Sequence, residues 1–182
     1  MTTATRRRTL ALLVLAVLSS VSLAAAGTFQ FPAATGVERA ALRLDGQWEL
    51  ARYDDPDPDK GTYEPANALP PAAELKWESV PVPKSLFEHF GADNLCHRVL
   101  YRTGIDIPAS HEGRGFTLHF SGSSWIVSVF VNGKLAGTHR GMLIPWDMDI
   151  SGFVQPGRTN ELVIAVKSPW YGFDTGRTGV NE

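Results

Sequence analysis

The sequence predicts an all-β fold, an antiparallel sandwich or barrel, and three observations carry that expectation. Apolar residues alternate with polar ones in several separate runs. Turn-forming residues recur between those runs at short, regular spacing. No amphipathic helical pattern extends beyond two turns, so there is nothing to build a helical layer from.

Taken in order, Leu42, Leu44, Trp48 and Leu50 fall on one parity around Asp45-Gly46. Val99, Tyr101, Thr103, Ile105 and Ile107 alternate over a long stretch, and Phe116, Leu118 and Phe120 alternate with Thr117 and His119. Side chains two apart share one face of a strand, so each run describes a half-buried strand. Val127, Val129 and Val131 alternate too, but Ile126 and Phe130 fill the second face, as expected of a strand covered on both sides. Leu162, Ile164 and Val166 make one more strand. Asn132-Gly133 sits between two of these runs, and both residues tolerate the positive φ that a type I′ hairpin turn requires. Ser121-Gly122-Ser123, Pro108-Ala109-Ser110 and Pro156-Gly157 punctuate other strand ends. Lys84–Phe90 reads as one short helix with Ser85 near its start, and Pro65–Ala73 as a Pro/Ala-rich surface connection.

The first 26 residues read as a secretory signal peptide. Arg6-Arg7-Arg8 precedes an uncharged apolar run, Leu10–Leu18, followed by the small residues Ala24-Ala25-Ala26. The run is well short of the ~20 residues that span a bilayer. An uncleaved N-terminal anchor is the competing reading. Residues 27–40 are expected to be an extension and residues 41–182 the folded domain. Cleavage after Ala26 removes three arginines and no acid, taking the formal charge from −2 to −5. A mildly acidic domain without a basic run has no general attraction for nucleic acid or for an anionic membrane. An exported location, periplasmic or extracellular, follows from the leader.

Cys96 is the only cysteine in the chain, so no intrachain disulfide is available and packing supplies the stability. It reads as a small buried hydrophobe, with a nucleophile or an intermolecular disulfide as the alternative. Asp54–Lys60 alternates acids with prolines, but an EF-hand loop counted from Asp55 puts Lys60 where Gly is needed and Ala66 where a bidentate Glu is needed. The stretch reads as an extended solvated loop, and no metal or cofactor is expected.

The order of motifs resembles the N-terminal sugar-binding domain of glycoside hydrolase family 2, the group of β-galactosidases, β-glucuronidases and β-mannosidases. Leu44-Asp45-Gly46-Gln47-Trp48 is similar to the family's opening Leu-(Asn/Asp)-Gly-x-Trp, and Trp77 to Pro83 to its Trp-x-x-(Ile/Val)-x-Val-Pro. Tyr101-Arg102 through Pro108 and Leu118 through Gly122 resemble two further strands. Val129–Ser151 resembles the longest motif, with Asn132-Gly133, His139, Gly141, Pro145 and Asp149 at matching places. Gly157–Val166 is similar to Gly-x-Asn-x-Leu-x-Val-x-Val with one residue inserted. Met142 departs from the pattern, standing where the family has the second glycine of a pair.

The resemblance implies an antiparallel jelly-roll β-sandwich of the galactose-binding-like kind. It also implies carbohydrate as ligand, and a catalytic barrel and second sandwich domain as partners in a full-length enzyme. Arg177–Glu182 is similar to the (Thr/Ser)-Gly-Ile-Trp-(Gln/Arg) leading into the family's last strand, with Asn181 where an aromatic is common. That strand is therefore expected to be missing, which would expose a sheet edge.

Catalysis is not expected from this chain. Retaining glycosidases use two carboxyl groups about 5 to 5.5 Å apart, and the family draws both from a barrel of about 250 residues. Asp147 and Asp149 could share a face but read as turn and loop anchors. His139, with no nucleophile motif beside it, reads as a buried, hydrogen-bonded structural residue. Trp48, Trp77, Trp125 and Trp146 read as packing residues. The resemblance places an acidic subsite residue just before the Gly-Ile motif, where Asp174 is the match, shifted by one residue. Trp170, Tyr171 and Phe173 beside it carry faces that could stack on pyranose rings, or simply cover the sandwich edge. Three readings follow: an accessory domain of a secreted family 2 enzyme, a free-standing carbohydrate-binding module, and an inactive truncated product.

Overall fold

A computed structural model of the chain describes residues 27–36, 39–53, 65–91, 98–123 and 125–167. The leader, Asp54–Lys60, Cys96 and the segment carrying Trp170, Tyr171, Phe173 and Asp174 lie outside the described residues.

The strands are β1 (Thr28–Gln30), β2 (Gly46–Arg52), β3 (Glu78–Val82), β4 (Arg98–Ile107), β5 (Thr117–Phe120), β6 (Ile126–Val131), β7 (Lys134–Arg140), β8 (Trp146–Asp149) and β9 (Arg158–Lys167). The larger sheet runs β3-β2-β4-β9-β6-β7, with β1 added beside β4, and the smaller sheet is β5-β8. Every pairing but one is antiparallel. β1 lies parallel to β4, with Phe29 opposite Ile105. The helix α1 (Leu86–Phe90) follows β3, with Ser85 at its N-cap position.

The two sheets bury the alternating faces read from the sequence. Val99, Ile105 and Ile107 of β4, Val127, Val129 and Val131 of β6, and Leu162 of β9 meet Leu118 of β5 and the residues flanking the smaller sheet, Phe116 and Ile150. Each such side chain, fully buried, stabilises the fold by about 1.5–3 kcal/mol. Trp48 joins this core, and its indole N–H donates to Leu44 O at 2.8 Å.

Two findings correct the sequence reading. Residues 27–36 are built into the sandwich and are not an extension ahead of it. Phe29 and Phe31 pack on the core, the Thr103 hydroxyl donates to Gly27 O, and buried His111 donates to Pro32 O at 2.6 Å. Pro65–Ala73 is not a mere surface connection, and with the residues up to Trp77 it packs on the sheet. Ala66, Leu69, Leu75 and Trp77 cover Leu100, Phe130, Val163 and Ala165 on the outer face of the larger sheet. The apolar second face of β6 and β9 needed a cover, and this segment supplies it. Arg102 fixes it there: its guanidinium stacks over Trp77 at 4.1 Å and donates to Glu49 Oε2 from Nε and Nη2 at 2.7 and 2.6 Å.

The end of the sandwich holding the β6–β7 turn is fastened by polar side chains. Asn132 and Gly133 take φ of 51° and 76°, the left-handed geometry expected of that turn. Asn132 Nδ2 donates to Phe153 O and to Asn160 Oδ1, and Asn132 Oδ1 accepts from Glu161 N. Asn160, 2 % exposed, also accepts from Gln155 N and donates to Gln155 O and Arg158 O. Nearby, Asp149 Oδ1 accepts from both Ser151 N and Ser151 Oγ, which holds its carboxyl below the usual range. Phe116 N donates in turn to Ser151 Oγ at 2.8 Å. One irregularity interrupts β7: Val129 faces Gly137 while Phe130 faces Leu135, leaving Ala136 as a bulge.

Asn160→Ala is expected to leave several of these groups unpaired and to lower stability by about 1–3 kcal/mol, read as a reduced denaturant midpoint. Burial pushes the Tyr101 hydroxyl up to about 12. The folded protein then keeps this proton where the unfolded chain loses it near pH 10, so this stabilising contribution is complete below pH 10 and is lost as pH rises towards 12. Tyrosinate absorbance and thermal melts across that window check it, with Tyr101→Phe removing the dependence.

Candidate functional site

The opposite end of the sandwich is built differently. Lys167, the last residue of β9, pairs with Arg98 at the start of β4 and with Ile126 at the start of β6, and Ile126 pairs with Arg140 at the end of β7. Phe120 opposite Trp146 completes the same end in the smaller sheet. Residues 121–123 and 125 and the loop 141–145 cross this rim, and they are bonded to each other. Gly141 N donates to Trp125 O at 2.9 Å and Leu143 N to Ser123 O at 2.8 Å. Trp146 Nε1 donates to Ser123 Oγ at 2.9 Å.

Three rings form a continuous stack beneath these loops. Phe120 and Trp146 are parallel within 4° at 4.0 Å, and His139 lies on the other face of Trp146 at 4.2 Å and 7°. Both faces of the indole are therefore occupied, and Trp146 has none left to offer a pyranose ring. Its reading as a packing residue stands on that geometry. His139 differs from expectation. It is half-buried rather than buried, stacking holds it, and its Nε2 is enclosed without a hydrogen-bond partner among the described residues, as is Trp125 Nε1. A Cβ on Gly141 would fall 2.7 Å from His139 Nε2, so the ring occupies the space that only glycine leaves open.

The motif residues divide between the two ends. His139 and exposed Pro145 lie at this rim, Asn132, Gly133 and Asp149 at the other, and Trp48 in the core. Asp147 accepts from His119 Nδ1 at 2.7 Å on an open face, and Asp149 is engaged with Ser151, so both carboxylates are committed within the domain. Among the described residues no group of three or more His, Cys, Asp or Glu is placed to hold a metal. Phe120 and Asn160 carry more of the architecture than their motifs declared. Asn160 had a legible signal, a polar residue in phase with Leu162 and Ile164 on an apolar strand face.

Comparison with known proteins agrees with this architecture. Residues 95–175 match the glycosyl hydrolase 2 galactose-binding domain-like family. A β-galactosidase from Thermoanaerobacter pseudethanolicus is 29% identical over 63 residues, 35% of this chain and 8% of that protein. The β-glucuronidase of Ruminococcus gnavus superimposes with a TM-score of 0.55 at 28% identity, covering 69% of this chain and 21% of the enzyme, both in its own crystal structure and in its complex with D-glucuronic acid. Over these residues the sandwich resembles the galactose-binding-like domain of family 2 glycoside hydrolases. It spans a small part of the length of the relatives it matches.

In this domain Gly141→Ala is expected to push His139 off Trp146 and to cost about 1–3 kcal/mol, the usual range for overpacking. In the His139→Ala background the same change should cost much less. Additive melting shifts would show that ring and glycine do not meet.

Proposed function

We propose that this chain is the sugar-binding accessory domain of a secreted family 2 glycoside hydrolase, the full-length form of which hydrolyses O-glycosyl bonds. Its partners in that reading are carbohydrate, a catalytic barrel and a second sandwich domain. Export rests on the leader-like residues 1–26.

The observation that best supports the reading is how closely the candidate sugar-contacting residues follow rim residue Lys167 in sequence. Lys167 lies on the rim crossed by the two bonded loops, and Trp170, Tyr171, Phe173 and Asp174 follow it within seven residues. A carboxylate there accepts from sugar hydroxyls, and the aromatic rings offer stacking faces. A sandwich fold alone would not carry this, since the architecture serves many functions.

The intact mass of the native product in its own host tests the reading. A species several times heavier than this chain is expected. A species matching residues 27–182 alone would leave a free-standing carbohydrate-binding module or an inactive product, which glycan-array binding separates. In the heavier protein Asp174→Asn should lower kcat/KM on aryl glycosides by about tenfold or more, the scale of one hydrogen bond to a charged group, with the circular dichroism of the domain unchanged. Unaltered kinetics would remove Asp174 from the subsite.

A further inference from the structure

At the end of the sandwich away from the rim, a hollow of about 500 Å³ opens where β4 stops, β9 starts and β1 lies alongside. That size falls within the range of roughly 300–1,000 Å³ usual for small-molecule sites. Its lining is of two kinds. Pro108, Ala109 and Gly157 offer carbon surface and bare backbone. Gln30, Asp106, Arg158 and Thr159 offer an amide, a carboxylate, a guanidinium and a hydroxyl.

The polar groups are held in place by the fold itself. Gln30 stands opposite Asp106, and Asp106 opposite Thr159, so the three share one row across three neighbouring strands. Gln30 Nε2 donates to Asp106 Oδ2, and the Thr159 hydroxyl donates to Asp106 Oδ1. The carboxylate is thereby fixed, while Gln30 Oε1 keeps no partner among the described residues. Arg158 is held twice: its Nη1 donates to Gln155 Oε1 at 2.8 Å, and its carbonyl accepts from Asn160 Nδ2 at 3.0 Å. The carbon side is equally fixed. His111 N donates to Pro108 O at 3.1 Å, closing the turn that carries Ala109, and Gly157 N donates to Ile107 O at 2.7 Å. Groups held in this way bind a ligand without first having to be ordered.

We infer that this hollow is a carbohydrate site separate from the rim, taking the hydroxyl-bearing edge of an uncharged pyranose. It goes beyond the accessory-domain reading and does not depend on it. Arg158 and Lys167 are the two ends of β9, roughly 30 Å apart at the rise of a strand, so a sugar ring here does not reach the rim. The choice of ligand follows from the lining. One carboxylate and one guanidinium give the hollow no net charge, so an anion meets Asp106 and a cation meets Arg158. An uncharged ligand avoids both. Sugar hydroxyls donate and accept at once, which suits a set with an acceptor carboxylate, a donor guanidinium, and an amide and a hydroxyl that do either. A wholly apolar ligand would strip water from these four groups and give nothing back. The C–H surface of the ring packs on Pro108 and Ala109.

The test titrates the isotope-labelled chain with the methyl β-glycosides of galactose, glucose and mannose and follows its amide resonances. At least one glycoside is expected to shift the Gln30 side-chain amide and the Gly157 and Arg158 backbone amides saturably. Gln30→Ala and Arg158→Ala, both at exposed positions, should each weaken that binding by about threefold to tenfold, the scale of one hydrogen bond. Each should leave the melting temperature within about 3 °C, as surface changes do. No saturable shift at these residues with any of the three glycosides would overturn the inference, as would binding that neither substitution weakens. Shifts confined to the loop 141–145, where Met142, Leu143 and Ile144 are exposed, would overturn it by giving the sugar to the rim. Saturable shifts at the hollow with inorganic phosphate or calcium chloride alone would overturn it by giving the hollow to an ion. The intact-mass measurement decides the accessory-domain reading separately, so either can fail without the other.

Discussion

Ten residues of β4 pair with ten of β9 in one uninterrupted antiparallel ladder, and the other strands of the larger sheet take their places from that pair. β2 runs along the first half of β4 and β1 along the second, while β6 lies on the free side of β9. Because side chains alternate strictly along a strand, the register of this ladder decides both layers at once. It sends Val99, Ile105, Ile107 and Leu162 inward and Leu100, Val163 and Ala165 outward. A slip of one residue would exchange the two faces, leaving the smaller sheet and the 65–77 cover each opposite the wrong set.

The two ends of the sandwich use different physics. At one, buried amides and a carboxylate satisfy the backbone of tight turns, and the reward for completing such a network is rigidity, since each unpaired buried group carries a large penalty. At the other, stacked rings and bonded loops leave an apolar surface facing solvent.

Much of the architecture was legible because period-2 alternation is a strong signal when one face is buried. The long runs in β4, β6 and β9 appear where the parity placed them, and Asn132-Gly133 forms its turn because the local preference and the strand ends agree. Residues 28–30 were not legible as a strand. Thr28-Phe29-Gln30 is too short for periodicity to register, and its parallel partner lies far along the chain, so only tertiary contact defines it. Composition misleads at Pro65–Ala73: prolines and alanines suit a surface path, yet Ala66 and Leu69 on it help to shield Phe130 and Val163. His139 was given a hydrogen-bonded role because burial of a histidine usually demands one; face-to-face stacking on Trp146 was invisible without the sheet pairing that sets Trp146 opposite Phe120. The sugar-facing residues rest on the resemblance around Asp174, which no periodicity governs.

The bulge at Ala136 has a consequence for how copies of this molecule meet. β7 and β3 end the main run of the larger sheet among the described residues, with the three-residue β1 as a further short edge beside β4, and a straight outer strand is a template on which a neighbour can crystallise a further rung. Ala136 breaks the even spacing of amides and carbonyls along β7, and Pro81 deletes a donor from β3. A second molecule arriving at either flank finds a hydrogen-bonding comb with misplaced or missing teeth.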